Sequence, residues 1–216
     1  MITLGPKHTI ASIDVDVQNG FTPLCPNELP VPMGNEIANA LNQQAAIAGF
    51  RIGSKDAHPE KALWVAQKIE DILTPTEGLP HSDVRWPVHC VPGTLGFELI
   101  KGLPHPAEYD FFVWKGIEPD MHPYGACFHD LKEKLSTGLI EYLHYKGVET
   151  VIVGGLATDY CVKNTVLQLL NAGFKTIVHL EACKGIAIES TQLALELMQK
   201  KGAILIQSLK ELQSNA

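Results

Sequence analysis

The sequence predicts a three-layer α/β/α domain with an open, mainly parallel central sheet, on three observations. Short β-branched runs alternate with segments of helical periodicity, the turns between them carry glycine, and the strand-like runs are apolar enough to be covered on both faces. Right-handed crossovers then place helices on the two sides of the sheet. Thr9 to Val17 reads as the first strand, and Glu36 to Ala48 as a helix stopped by Gly49. Further strands are expected at Phe50 to Ser54, Asp110 to Trp114, Thr150 to Val153, Lys175 to Val178 and Ala203 to Ile206. Helices are expected over Leu131 to Tyr145, Thr158 to Ala172 and Ile188 to Lys201. Leu73 to Pro106 is rich in Pro, Gly and His with little periodicity, which predicts a long functional loop segment. No repeat or linker divides the chain, so residues 1–216 are expected to form a single domain.

Charge narrows the partners. A net charge of −7, with Lys and Arg scattered, argues against nucleic acid and anionic membranes and favours a small neutral or cationic molecule. No apolar run is long enough to span a bilayer, and the first residues lack the parts of a signal peptide, so the chain reads as cytosolic. Five cysteines without a CxxC pair are expected to be individual thiols. Whether the chain forms a homo-oligomer is left open.

Cys161 is the most informative of the five. It follows the buried run Thr150 to Val153 and opens a helix that Thr158 or Asp159 can cap. A thiol among unpaired N–H groups at the positive end of a helix dipole is expected to titrate low, in the range of about 3.5–7.5. The competing reading is a small buried core cysteine. In open α/β sheets ligands bind beyond the carboxyl ends of the strands. Asp16, Asp56, Lys115 and Cys161 come from distant parts of the chain and all fall at such ends.

Asp56-Ala57-His58 adds a carboxylate and an imidazole two residues apart, and Trp86-Pro87-Val88-His89-Cys90 supplies a second imidazole. One carboxylate and two histidines suit a divalent ion such as zinc, iron(II) or manganese. Singly, His58 reads as well as a turn residue before Pro59, and His89 as loop packing. His8, His105, His122, His129, His144 and His179 have no comparable partners and are expected to be surface or core residues.

Read in order, five segments resemble the nicotinamidase/pyrazinamidase branch of the isochorismatase-like cysteine hydrolases. They are Asp16-Val17-Gln18-Asn19-Gly20-Phe21, Asp56-Ala57-His58-Pro59, Trp86-Pro87-Val88-His89-Cys90-Val91, Lys115-Gly116 with Tyr124, and Gly155-Leu156-Ala157-Thr158-Asp159-Tyr160-Cys161-Val162. The resemblance implies a triad of Asp16, Lys115 and Cys161, and one divalent metal on Asp56, His58 and His89. It also implies a cis peptide between Leu156 and Ala157 that aims the Ala157 N–H, beside that of Cys161, at an oxyanion. The implied activity is hydrolysis of nicotinamide, and of pyrazinamide, through a cysteine thioester in the salvage of NAD, with the metal anchoring the ring nitrogen. Phe21 and Trp86, with Tyr124, are the expected pocket walls.

Two departures from that pattern stand out. Many relatives carry a further histidine four residues beyond the Asp-x-His histidine, where this chain has Ala62. The Tyr-Ser-x-Phe of the lysine segment here reads Tyr124-Gly125-Ala126-Cys127-Phe128. Two other functions fit the same residues: an amidase acting on a carbamoyl or ureido compound, and a catalytically silent metal-binding protein on the same fold.

Overall fold

Six parallel strands form the central sheet in the computed structural model, which describes residues 1–214. The strands are β2 (Ile10–Val15), β3 (Phe50–Asp56), β4 (Phe111–Lys115), β5 (Thr150–Leu156), β6 (Lys175–Lys184) and β7 (Ile204–Ile206), in the spatial order β4-β3-β2-β5-β6-β7. A separate parallel pair joins β1 (Ile2–Leu4) to β8 (Leu212–Ser214) and was not expected from the sequence. The helices are α1 (Ala38–Ala46), α2 (Leu139–Tyr145), α3 (Lys163–Asn171) and α4 (Ile188–Lys200). Among the described residues no helix is long and apolar enough to cross a membrane.

The alternation of side chains along the strands builds the layers. Ala11, Ile13, Val15, Val151, Val153 and Val178 share one core with Leu139 and Leu143 of α2, Val166 and Leu169 of α3, and Met198 of α4. Their neighbours Ile10, Ile152 and Ile177 point into a second core with Leu4 and Ile206, closed in part by Ile2 and Leu212 of the small pair. Ile37 and Leu41, at and just inside the start of α1, join Val17, Leu156 and Ala182 in a third cluster. Strands buried on both faces therefore carry near-continuous apolar runs, as parallel strands require.

Two expected helices start well beyond the point that the periodicity suggests. Asp130 accepts hydrogen bonds from the N–H groups of Lys134 and Leu135, both at 2.8 Å, and this local side-chain bonding replaces a helix over residues 131–138. Gly138, with φ 84°, then precedes α2. Residues Thr158–Val162 form one π-helical turn before α3, closed by Val162 N–H on Ala157 O at 3.1 Å. Neither Thr158 nor Asp159 caps that turn. The Asp159 carboxylate accepts instead from Ile186 N–H at 3.1 Å, Ala187 N–H at 3.3 Å and Ser190 Oγ at 2.5 Å, and so caps the start of α4.

The sheet reverses its building direction between β2 and β5, since β3 and β4 extend it one way and β6 and β7 the other. That junction is a topological switch point, where ligands bind beyond the carboxyl ends of the strands. The long segment between β3 and β4 arches over the same rim with only isolated bridges, such as Val65 to Trp86, and single helical turns.

Candidate active site

Asp16 follows β2, Asp56 and Lys115 end β3 and β4 at paired register positions, and Cys161 lies in the turn after β5. The sheet therefore brings all four predicted rim residues together. Lys115 Nζ is 3.0 Å from Asp16 Oδ2, bonds to Asp56 Oδ1, and stands 3.9 Å from Cys161 Sγ. One carboxylate oxygen each of Asp16 and Asp56 lies within 4.8 Å of the Cys161 sulfur. All four residues are buried.

Two side chains hold this corner in place, and sequence reasoning assigned neither a task. Ser54 Oγ donates to Asp16 Oδ1 at 2.6 Å and accepts from the Asp16 N–H at 3.2 Å. That brace fixes a residue whose backbone is left-handed, φ 47°, a conformation costing on the order of 1–3 kcal/mol off glycine. Gln18 donates to Asp56 O at 2.8 Å while its Oε1 accepts from the Asp56 N–H at 2.8 Å, so the end of β3 is clamped to the segment after β2. The Leu156–Ala157 peptide bond is cis. Gly155 has φ 138°, and a Cβ there would fall 2.2 Å from Val15 O, which restricts the position to glycine.

The electrostatics differ from the expectation at Cys161. Burial pushes its thiol well above the usual range; Lys115 pulls against this, and the charges of Asp16 and Asp56 add to it. The low-titrating thiolate predicted from a helix start is therefore corrected. The sulfur sits in a buried π-helical turn beside two carboxylates, and desolvation outweighs the single lysine. Burial also raises the Asp16 carboxyl, with Lys115 opposing and Asp56 adding. For Asp56 burial acts upward too, but Lys115, His58 and His89 together hold it well below the usual carboxylate range. The lysine remains a cation despite burial because Asp16 and Asp56 flank it. Asp56 is thus the fixed counter-charge, and Asp16 the carboxylate able to gain and release a proton.

Next to this corner His58, His89 and His122 converge, each buried and with ring nitrogens within 4.8 Å of one another. His58 Nδ1 meets Gly116 O at 3.0 Å and His89 Nδ1 meets Pro87 O at 2.7 Å. A carbonyl only accepts, so both Nδ1 atoms carry the proton and both Nε2 atoms present lone pairs. Those Nε2 atoms are buried with no hydrogen-bond partner among the described residues. Burial and the neighbouring His58 push His89 down to about 3, and the same causes lower His122 well below the usual histidine range. Unpartnered imidazole nitrogens beside the Asp56 carboxylate, whose Oδ2 is 3.5 Å from His58 Nε2, are a donor set that fits a divalent transition ion. Gly116 permits this arrangement. It has φ 73°, and a Cβ on it would meet the His58 ring at 2.3 Å.

His122, expected to be a surface or core residue, instead belongs to this cluster. Sequence spacing gave no signal for it, because its partners lie 64 and 33 residues away and meet it only through the fold. Ala62 is buried and offers no donor. Trp64, two residues on, packs edge-on against His58 and His122 at ring separations of 4.7 and 4.5 Å.

Between the two groups opens a small, partly open cavity. The predicted walls Phe21, Trp86 and Tyr124 all line it, with Asp56, His89, His122, Ala157 and Cys161. Leu29, Tyr160 and Ile186 line it as well and were not foreseen. Trp86 Nε1 donates to Tyr124 Oη at 3.2 Å, and that hydroxyl donates to Asp83 at 2.6 Å, so the wall is braced from behind.

Residues 11–209 match the isochorismatase domain. A nicotinamidase of Acinetobacter baylyi is 34% identical over 201 residues, covering 92% of each chain. Among solved structures, a nicotinamidase/pyrazinamidase of Acinetobacter baumanii superposes with a TM-score of 0.85 at 35% identity, covering 96% of this chain and 99% of that one. A pyrazinamidase of Pyrococcus horikoshii in complex with zinc gives 0.72 at 31% identity, covering 92% and 99%. The parallel sheet, the rim at its switch point and these likenesses together show that the chain belongs to the isochorismatase-like family, in its nicotinamidase branch.

Proposed function

We propose that this chain hydrolyses nicotinamide to nicotinate and ammonia, and pyrazinamide likewise, with Cys161 as nucleophile. The observation that carries the reading is the buried Lys115 cation between Asp16 and Asp56, 3.9 Å from the Cys161 sulfur, which lines a small cavity with Phe21, Trp86 and Tyr124. Asp16 takes the thiol proton as the sulfur attacks the amide carbon, forming the C–S bond. The raised titration of both groups makes this a transfer at the moment of attack, from a neutral thiol to a carboxylate that holds protons well. The carbonyl oxygen becomes an oxyanion, for which the Ala157 and Cys161 N–H groups are the assigned donors. Asp16 returns its proton to the nitrogen, the C–N bond breaks and ammonia leaves. Water then adds to the nicotinoyl thioester, Asp16 accepting its proton. The C–S bond breaks, the proton goes to the sulfur and nicotinate is released.

Lys115 keeps Asp16 oriented and offsets the charge that accumulates on sulfur and carboxylate. Phe21, Trp86 and Tyr124 hold the ring and keep bulk water out. A single divalent ion, zinc, iron(II) or manganese, fits Asp56, His58 and His89; when bound it supplies a Lewis acid for the ring nitrogen.

Purified protein supplied with zinc, manganese or iron(II) should release ammonia from nicotinamide and pyrazinamide and yield the matching acids. Ammonia from a linear carbamoyl or ureido amide, with none from nicotinamide, would overturn the substrate assignment and favour the related amidase. Absence of turnover on either class, with the metal bound, would favour the silent metal-binding protein.

A further inference from the structure

We infer that His122 is itself a ligand of that ion, so that this chain presents a face of three imidazoles, His58, His89 and His122, beside the Asp56 carboxylate. The inference rests on the reading that a divalent ion is held here, and goes beyond it by assigning a donor from a chain segment that the Asp-x-His and Trp-Pro-x-His-Cys motifs do not include.

His122 is 3% exposed, and neither of its ring nitrogens has a partner among the described residues. Buried polar atoms are nearly always satisfied, and an imidazole with both nitrogens idle is the kind of exception that an ion accounts for. His58 and His89 present the same open Nε2 atoms, and all three rings offer a nitrogen within 4.8 Å of the others. Three converging lone pairs exceed the two protons that one water molecule can donate, whereas one cation accepts all three.

The segment that carries His122 is tied to its neighbours by bonds that leave both ring nitrogens free. His122 N–H donates to His81 O at 2.8 Å, Trp64 Nε1 donates to Met121 O at 2.9 Å, and Leu63 N–H donates to Pro119 O at 2.7 Å. The imidazole stacks between His58, at 4.9 Å and 19°, and Trp86, at 5.8 Å and 17°. One oxygen of Asp56 is engaged by Lys115, and Ala62 supplies nothing, so without His122 the protein offers two imidazoles and one carboxylate oxygen.

The test separates ligand from packing. Titrate full-length wild type, His122→Phe, His122→Asp and His89→Phe with cobalt(II), following the visible d–d absorption, and measure zinc affinity by competition with a chromophoric chelator. Circular dichroism and thermal melts of the metal-free proteins report folding. His122→Phe keeps an aromatic ring against Trp86 and Trp64 but has no donor, and should lose at least about 100-fold in affinity, since even outer-shell partners contribute about 10–100-fold. His122→Asp restores a donor and should recover part of that loss with an altered cobalt spectrum. His89→Phe is the reference for a lost ligand. A wild type that takes up no metal would defeat the metal reading as a whole. A wild type that binds one equivalent while His122→Phe binds it with the same affinity and spectrum would overturn this inference alone. A rise in nicotinamide KM in His122→Phe with unchanged metal binding would overturn it too, and make His122 a direct substrate contact.

Discussion

Asp16, Asp56, Lys115 and Cys161 are carried at the ends of adjacent parallel strands or on the first turn beyond one, whereas His89 and His122 are carried by the loops that arch over them. The first group takes its spacing from sheet register: Asp56 and Lys115 face each other as paired positions, and β2 and β5 run side by side from Ile10 and Thr150 to their ends. The second takes its spacing from single contacts, such as Pro87 O on His89 and His81 O on the His122 backbone. Asp56 and His58 join the two, standing two residues apart with Asp56 paired to Lys115 and close to His58. A corner built on strands is suited to proton transfer, where small displacements are costly, and a loop cluster is suited to reading the ring. The two should therefore fail separately.

The sharpest break comes at the sulfur. Cys161→Ala should reduce turnover by at least about 10⁴-fold while nicotinamide still binds, because the loop cluster and the aromatic walls are untouched. Equilibrium binding and single-turnover assays check this, and residual activity above about 1% of wild type would remove Cys161 from the covalent step. Asp16→Asn should follow at about 10²–10⁴-fold or more, since one carboxylate serves both half-reactions and an amide carries no proton for it. Its effect should fall on kcat, and iodoacetamide should alkylate Cys161 more slowly than in the wild type.

Stripping the metal attacks the other region. With a chelator, or in His89→Ala, the KM for nicotinamide should rise about 10–100-fold, while the slow turnover of benzamide, which has no ring nitrogen, changes little. The sulfur should still react with iodoacetamide. Equal collapse for both amides in folded protein would mean that the ion takes part in bond breaking and that the two regions are one.

The smallest effect on activity is expected at Asp14, on β2 but outside both regions. It bonds to Arg51 at 2.7 Å and Tyr109 at 2.9 Å, and burial raises its carboxyl to about 6 despite Arg51. Asp14→Asn should leave turnover within about threefold of wild type, the common result for a change that leaves the reacting groups untouched. Its signature is in stability. Between about pH 4 and pH 6 the folded state holds a proton that the unfolded chain has lost, so the Asp14 contribution is full below about 4 and disappears as the pH rises through about 6. The wild type should lose on the order of 2–3 kcal/mol relative to Asp14→Asn across that window, measured by urea unfolding. A constant difference over the window would mean that Asp14 is ionised throughout.

The fold was legible because parallel strands buried on both faces leave a strong mark, and the runs at Ile10, Thr150 and Lys175 carry it. The rim was legible for the same reason: a polar residue ending such a run has one place to go, and Asp16, Asp56, Lys115 and Cys161 all went there. What periodicity could not give was competition between local and distant partners. Leu131 to Tyr145 has a helical pattern, yet Asp130 ties residues 134 and 135 into a loop first. Asp159 has the chemistry of a cap for its own helix, yet caps α4, because Ile186 and Ala187 arrive with unpaired N–H groups. The titration of Cys161 reversed for a similar reason, since a helix start speaks for one dipole while the fold adds burial and two carboxylates. His122 is the extreme case: nothing beside it in the sequence is a ligand, and only the packing of residues 62–64 against 119–122 carries it to His58 and His89. Sequence determines which residues can do chemistry and which strand each one ends; distances between segments far apart in the chain exist only once the core has closed.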